Sequence, residues 1–398
     1  MSGILIRDAT VVLPDRLAPR HSVLVDCGRI VAVEPSDRLE RCQEGVEVVD
    51  AANAWLVPGF IDLHIHGTGQ FRIDHSPLEL NGLCDLLPRY GVTGILATVC
   101  PRPGDEHAEY LRSLAALRSE GTAVLGFHLE GPFLSCTGAF RPEDLQNADS
   151  RRVDELIEAT GEYPVVFSIS PEFPGITDLI PRMARGGRPV FITHTRASVT
   201  QTQAAIEAGA RHATHFYDVF PVPAETDPGV RPCGAVEAIL ADPRVSVDFI
   251  LDGEHVDPVA VRMAMACKGP GGVSLITDAN VGAGMGTGVF QSAMNEVEFK
   301  YPGGPARLTA RSHMPGGLAG SGLTMNLAVA NAVRMLGLSL PQAVRMASVN
   351  PAAVLGLSGR KGQVAVGFDA DLALMDESFN VRRCWVAGRC CHGGKEGT

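Results

Sequence analysis

The run "AVLGFHLEGPF" at 123–133 decides the fold. Its small and apolar residues read as a strand buried on both faces, ended by Gly131-Pro132. A buried strand has no use for an ionisable glutamate, so Glu130 at its last position needs a reason. A barrel of parallel strands supplies one, because the strand C-termini open onto the face where such folds keep their active sites.

Seven further runs repeat the pattern: "FIDLHIH" (60–66), "GILATVC" (94–100), "VVFSISPE" (165–172), "PVFITHT" (189–195), "HATHFYD" (212–218), "VSVDFILDG" (245–253) and "VSLITDA" (273–279). Between them lie stretches such as "HAEYLRSLAALRSEG" (107–121) and "TQTQAAIEAGA" (200–210), rich in Ala, Leu, Glu and Arg and closing near glycine as helices do. Eight strands alternating with helices give an α/β fold, a (β/α)8 TIM barrel. Both ends of the chain instead alternate polar and apolar residues in short segments, "ILIRDATVVL" (4–13) and "SVLVDCGRIVAVE" (22–34) at one end, "DADLALMD" (369–376) and "VRRCWVAGRC" (381–390) at the other. The expected organisation is a barrel over 58–355 and a small β-sandwich domain formed by both termini, 1–57 with 356–398. The segment 287–313 reads as a β-hairpin excursion after the last barrel strand, and "GGLAGSG" (316–322) as a flexible loop entering a helix.

Hydrophobic residues make up 45% of the 398 residues and charged ones 20%, the balance of a chain that folds throughout. The net charge of −11 is spread out, and no Lys/Arg block offers a nucleic-acid footprint. "MSGILIRDATVVLPDR" puts charges where a secretory signal needs an apolar core, and no segment reaches the roughly 18 apolar residues of a membrane span, so a cytoplasmic location is expected. The ten cysteines show no paired CxxC knuckles and read as reduced thiols; Cys390 and Cys391 carry no assigned role.

His64, His66, Glu130, His194, His215 and Asp278 all fall at C-terminal strand ends. In His64-Ile65-His66 the side chains at i and i+2 share one face, which aims two imidazoles at one centre. Six buried ligand-type groups would each cost about 1–3 kcal/mol unpaired, whereas a divalent metal satisfies them together. His and carboxylate ligands without thiolates suit Zn2+, with Mn2+, Fe2+ and Co2+ also compatible. Such a metal acidifies water and polarises a carbonyl, and Asp278 is the candidate general base and acid, a helix N-cap being its plainer reading. His128 reads as a neighbour of the ligands and His255 as a candidate substrate contact, while His75, His107, His212, His313 and His392 read as structural or surface groups.

With those residues in place the chain resembles the amidohydrolase superfamily, and within it the N-acetylglucosamine-6-phosphate deacetylases. "PGFIDLHIHG" (58–67) and "NPAAVLGLSGRKGQVAVGFDADLALMD" (350–376) carry the superfamily resemblance. "HLEGPF" (128–133), "ATHFYD" (213–218), "DGEHV" (252–256), "LITDA" (275–279) and "LAGSGLTM" (318–325) carry that to the deacetylases. The resemblance implies that Glu130, His194 and His215 hold a constant metal, that His64 and His66 hold a second with Glu130 bridging, and that Asp278 is the catalytic acid/base and lies against the metals. It also implies a homodimer, with the 218–231 loop near the neighbouring active site, and removal of acetate from an N-acylated amino sugar. Substrate contacts are expected at His255, Asp218, Val219, Ala139, Phe140, Thr226, Leu318, Ala319 and Gly320.

Three of those positions depart from the family. Thr226 stands where it has a phosphate-gripping arginine, Asp218 where it has an asparagine and Phe140 where it has a histidine. Unless Arg141 or Arg231 reaches the same space, a dianionic phosphate is disfavoured and an uncharged or cationic group near Asp218 is favoured. The rival readings are a deaminase, for which "THTRAS" (193–198) lacks a glutamate, and a cyclic amidase, for which "VVFSISPE" lacks a metal-bridging lysine. A non-catalytic ligand-binding homologue is the reading of a different class, and the intact ligand set with Asp278 opposes it.

Overall fold

The computed structural model describes residues 3–39, 45–141, 145, 147–292 and 295–394. The eight apolar runs are strands: β1 Phe60–Ile65, β2 Val92–Val99, β3 Ala123–Glu130, β4 Val165–Ile169, β5 Val190–Ile192, β6 Ala210–Ala213, β7 Ser246–Ile250 and β8 Val273–Ile276. They pair in parallel in sequence order. The ring closes beyond β8, where Ile65 bridges Ala279 and Asp278 N–H donates to His64 O at 2.9 Å. Helices Glu106–Ala115, Ser150–Ala159, Ile176–Met183, Val199–Ala208, Ala235–Ala241 and Pro258–Lys268 follow β2 to β7 in turn. Ser198 and Gln201 form a reciprocal capping box at the start of Val199–Ala208, which satisfies backbone donors that a helix start leaves open.

Strands from both termini hydrogen-bond into one eight-stranded sheet. Leu372–Met375, from the C-terminal region, lies antiparallel against Trp55–Pro58, the strand that leads into β1. Period-2 alternation assigns its faces: Leu372 and Leu374 enter the small sheet's own core, while Ala373 and Met375 pack on the barrel core. Trp385 fills the small core at 1% exposure and its neighbour Cys384 faces the barrel.

Two expectations change in detail. The 287–313 excursion is larger than a hairpin: Gly288–Gln291, Glu296–Phe299, Pro305–Leu308 and Leu318–Ser321 form a four-stranded antiparallel sheet. The glycine-rich stretch expected as a flexible loop therefore contains a strand, joined to the barrel where Ser321 bridges Ala279. Its backbone groups find ladder partners, which glycine content alone does not forbid. The helix Met325–Leu336 follows it.

Because Trp385 is a large, fully buried side chain, Trp385→Ala is expected to cost about 3–5 kcal/mol of stability. A denaturant titration read by circular dichroism measures this, and a loss below about 1 kcal/mol would contradict the packing described.

Candidate active site

The site is assembled at the C-terminal ends of the barrel strands. β1 carries His64 and ends one residue before His66; β3 ends on Glu130. His194, His215 and Asp278 each lie two residues past the ends of β5, β6 and β8. All three adopt left-handed backbone conformations, φ 47°, 33° and 44°. Non-glycine residues avoid that region, and its occurrence at three strand ends shows a backbone bent to present side chains to one point.

Glu130 is that point. One of its carboxylate oxygens, Oε1, lies 3.1 Å from His194 Nε2 and 2.9 Å from His215 Nε2. The other, Oε2, lies 3.3 Å from His64 Nε2 and 3.1 Å from His66 Nε2. Asp278 Oδ1 approaches the His64 and His66 pair at 3.6 and 3.4 Å. Each carboxylate oxygen thus faces its own pair of imidazoles, the arrangement expected of a bridging ligand.

The outer nitrogens decide what the inner ones offer. His194 Nδ1 donates to Cys136 O at 2.7 Å and His215 Nδ1 to Asp218 O at 3.4 Å; a carbonyl can only accept, so each ring keeps one proton outside and turns Nε2 inward, where it can bind a cation once it gives up any proton shared with Glu130. His64 Nδ1 meets Thr214 Oγ1 at 3.1 Å. His64 Nε2 and His66 Nε2 stand 3.1 Å apart. Imidazole nitrogens converging on a buried carboxylate suit a cation, and the two sets His64/His66/Glu130 and Glu130/His194/His215 each bring ligand atoms within 4.8 Å of one another. The residues present therefore fit one or two divalent ions.

Electrostatics agree. Burial works to raise the Glu130 carboxyl, but the charge of His64 and hydrogen bonds from His194, His215 and His64 hold it well below the carboxylate range. Burial opposes charge on His66 and His215, yet hydrogen bonds to Glu130 and its charge push them up to about 9 and about 10. Positive charge on these rings is favoured by the same buried carboxylate that would attract a cation, so cation binding there releases protons. Burial drives His128 the other way, well below its ordinary value; it sits beneath His64, its Nδ1 donating to Leu63 O at 3.0 Å, a supporting group as expected. Asp62, pushed up to about 7 by burial despite its bonds from Thr277 and His64, ties β1 to the end of β8.

Above this centre a cavity of about 270 Å³ opens, lined in part by Ala139, Phe140, Asp218, Val219, Leu318, Ala319 and Gly320. Phe140 stacks on His194 with ring centroids 5.5 Å apart. Gly138, at φ 56°, lets the chain pass His194 where a Cβ would stand 2.7 Å from Cε1, and Gly320 passes Asp278 O where a Cβ would stand 2.6 Å away.

Two residues expected to contact substrate are not among those lining this cavity. The His255 side chain is buried off the cavity wall, held by Asp252 at 2.7 Å, because the turn after β7 folds Asp252 back onto the backbone of Glu254 and His255. Thr226 is exposed on its loop and does not line the cavity. Asp74, Cys100 and Arg72 do line it, although sequence reasoning missed them. The strand-end rule that found the other residues also points to Cys100, the last residue of "GILATVC". Asp74 and Arg72 follow no such rule; the short hairpin of Gly67–Thr68 with Phe71–Arg72 places them.

A barrel with a His/Glu/Asp centre at its strand ends defines an amidohydrolase-type metal site, and the amidohydrolase family model matches residues 273–391. The chain is 31% identical over 375 residues to N-acetylgalactosamine-6-phosphate deacetylase of Escherichia coli O157:H7, covering 93% of this chain and 94% of that one. It is 30% identical over 394 residues to N-acetylglucosamine-6-phosphate deacetylase of Lysinibacillus sphaericus, covering 97% of each. The solved N-acetyl-D-glucosamine-6-phosphate deacetylase of Mycobacterium smegmatis superposes with a TM-score of 0.85 at 30% identity, over 98% of this chain and all of that one. The enzyme of Pasteurella multocida gives 0.86 at 26%, over 98% and 99%. The chain belongs to the N-acetylglucosamine-6-phosphate deacetylase family of the amidohydrolase superfamily.

Thr214 supports His64 without entering the centre. Thr214→Val, nearly isosteric, is expected to weaken divalent-cation binding by about 10- to 100-fold. Competition against a fluorescent chelator reads this directly, and an unchanged affinity would contradict the support assigned to the hydroxyl.

Proposed function

We propose that this protein removes an acetyl or other short acyl group from the nitrogen of an amino sugar, using Asp278 to move the proton. The observation that carries the reading is the Glu130 carboxylate set between two histidine pairs, with Asp278 3.4–3.6 Å from one pair, beneath a cavity that suits a single sugar. His64, His66, Glu130, His194 and His215 would hold one or two divalent cations, most suitably Zn2+, with Asp278 against them. Bound there, the cation supplies acidification of the attacking water and polarisation of the amide carbonyl. Asp278 accepts the proton of that water and returns it to the departing amine, which leaves poorly as an anion. Backbone hydrogen bonds hold this residue in place on both sides, since Asp278 N–H donates to His64 O at 2.9 Å and Asp278 O accepts from Ser321 N at 2.7 Å. Phe140, packed on His194, forms an apolar wall where the family pattern has a polar ring.

The charge of the wall guides the choice of sugar. Among the described lining residues, Asp74, Glu130, Asp218 and Asp278 are acidic and Arg72 is the one Lys or Arg. Arg72 is already engaged, donating to Gln291 O at 2.9 Å and lying 3.6 Å from Glu79. Arg231 is exposed beside Glu237 and, like Thr226, does not line the cavity. A phosphate about 5 Å from Asp218 would meet about 3 kcal/mol of repulsion per unit charge pair at an effective dielectric near 20. The substrate is accordingly an amino sugar without a phosphate, or one bearing a cationic group near Asp218. The enzyme is read as acting in the cytoplasm and as a homodimer, and exposed Val222 and Val230 on the 218–231 loop support the second of these readings.

Release of free amine from N-acetylglucosamine and N-acetylgalactosamine, each with and without a 6-phosphate, tests the substrate. The unphosphorylated sugars are expected to match or exceed the esters in kcat/KM; a preference for the esters above tenfold would sink the proposal. In the same assay Asp278→Asn is expected to lower kcat by about 10²- to 10⁴-fold with little change in KM. A loss smaller than tenfold would remove Asp278 from proton transfer.

A further inference from the structure

His66 differs from the other three central histidines in what its outer nitrogen meets. Two of those donate to carbonyls and one meets a hydroxyl. His66 Nδ1 lies 3.5 Å from Cys100 Sγ and 4.0 Å from Asp74 Oδ2. One ligand atom from each of these three residues lies within 4.8 Å of the others. Cys100 N–H donates to Asp74 Oδ1 at 3.1 Å, which leaves Oδ2 turned toward the ring. Arg102 is directed to the backbone O of Asp74.

The spacing has a chemical meaning. Nitrogen about 2.1 Å and sulfur about 2.3 Å from one tetrahedral ion stand about 3.5 Å apart. That is the separation of His66 Nδ1 and Cys100 Sγ. All three residues line the cavity, so a fourth coordination position opens to water. A sulfur ligand selects Zn2+ or Cd2+ over Mg2+ or Ca2+.

We propose that Cys100 Sγ, Asp74 Oδ2 and His66 Nδ1 form a second kind of metal site, for a thiophilic divalent cation, sharing the His66 ring with the Glu130 centre. When the cation binds, bonds form to sulfur, oxygen and nitrogen, and the protons on Sγ and Nδ1 leave to solvent. An ion in this wall narrows the cavity beside the reacting amide, so excess zinc or cadmium slows turnover. The site does not depend on which amide is cleaved.

The test titrates Cd2+ into the enzyme carrying its resident metal, following near-ultraviolet cadmium–thiolate absorbance and total metal per chain. The wild type is expected to bind one additional equivalent with a thiolate band. Cys100→Ser should abolish the band and Asp74→Asn weaken the added ion at least tenfold, both retaining the resident metal. No band in the wild type, or an undiminished band in Cys100→Ser arising from exposed Cys27, Cys233 or Cys267, overturns the proposal. Should both variants fail to fold, cadmium-soaked wild-type crystals decide: an anomalous peak bonded to Cys100 Sγ supports the site, and its absence refutes it.

Discussion

The fold is organised around one buried negative charge. Glu130 sits at 4% exposure with each carboxylate oxygen against two imidazole nitrogens. An isolated carboxylate at that depth would neutralise, and the neighbours instead stabilise the ionised form. Much of the surrounding construction serves that contact. Positive-φ residues follow β5, β6 and β8, carbonyls of Cys136 and Asp218 hold two rings from outside, and Asp62 joins the first strand to the segment that closes the ring.

Chemistry and selectivity come from different parts of the chain. The residues proposed to move the proton and hold the cation stand at the ends of buried strands, which fixes their geometry to within the packing of the core. The cavity wall is contributed by connecting segments: Gly138 to Phe140 after β3, Asp218 and Val219 after β6, and Leu318 to Gly320 from the excursion sheet. Segments of that kind can change without disturbing the centre. The same division would let a chain keep its ligand set while the residues around the cavity vary, as the resemblance implies for Phe140, Asp218 and Thr226.

The barrel was legible because parallel strands buried on both faces are apolar throughout, so polar residues at their ends stand out. His64, His66, Glu130, His194, His215 and Asp278 were all visible this way, and the structure gathers them within a few ångströms. The terminal strands were legible through their period-2 alternation, and their union follows from the pairing of Leu372–Met375 with Trp55–Pro58. What the pattern could not show depends on chain direction in loops. His255 turns into the protein because Asp252 holds it, Asp74 reaches the cavity through a two-residue hairpin, and a glycine-rich stretch becomes a strand because the excursion sheet pairs with it. None of these follows from local periodicity.

The central claim is that Glu130 and the two histidine pairs around it hold one or two divalent cations. An anomalous-scattering map of the purified enzyme at the absorption edge of its resident metal tests it most directly. Density is expected bonded to Glu130 and to His194 with His215, His64 with His66, or both pairs. A fully occupied, catalytically active crystal with no anomalous density beside Glu130 would contradict it.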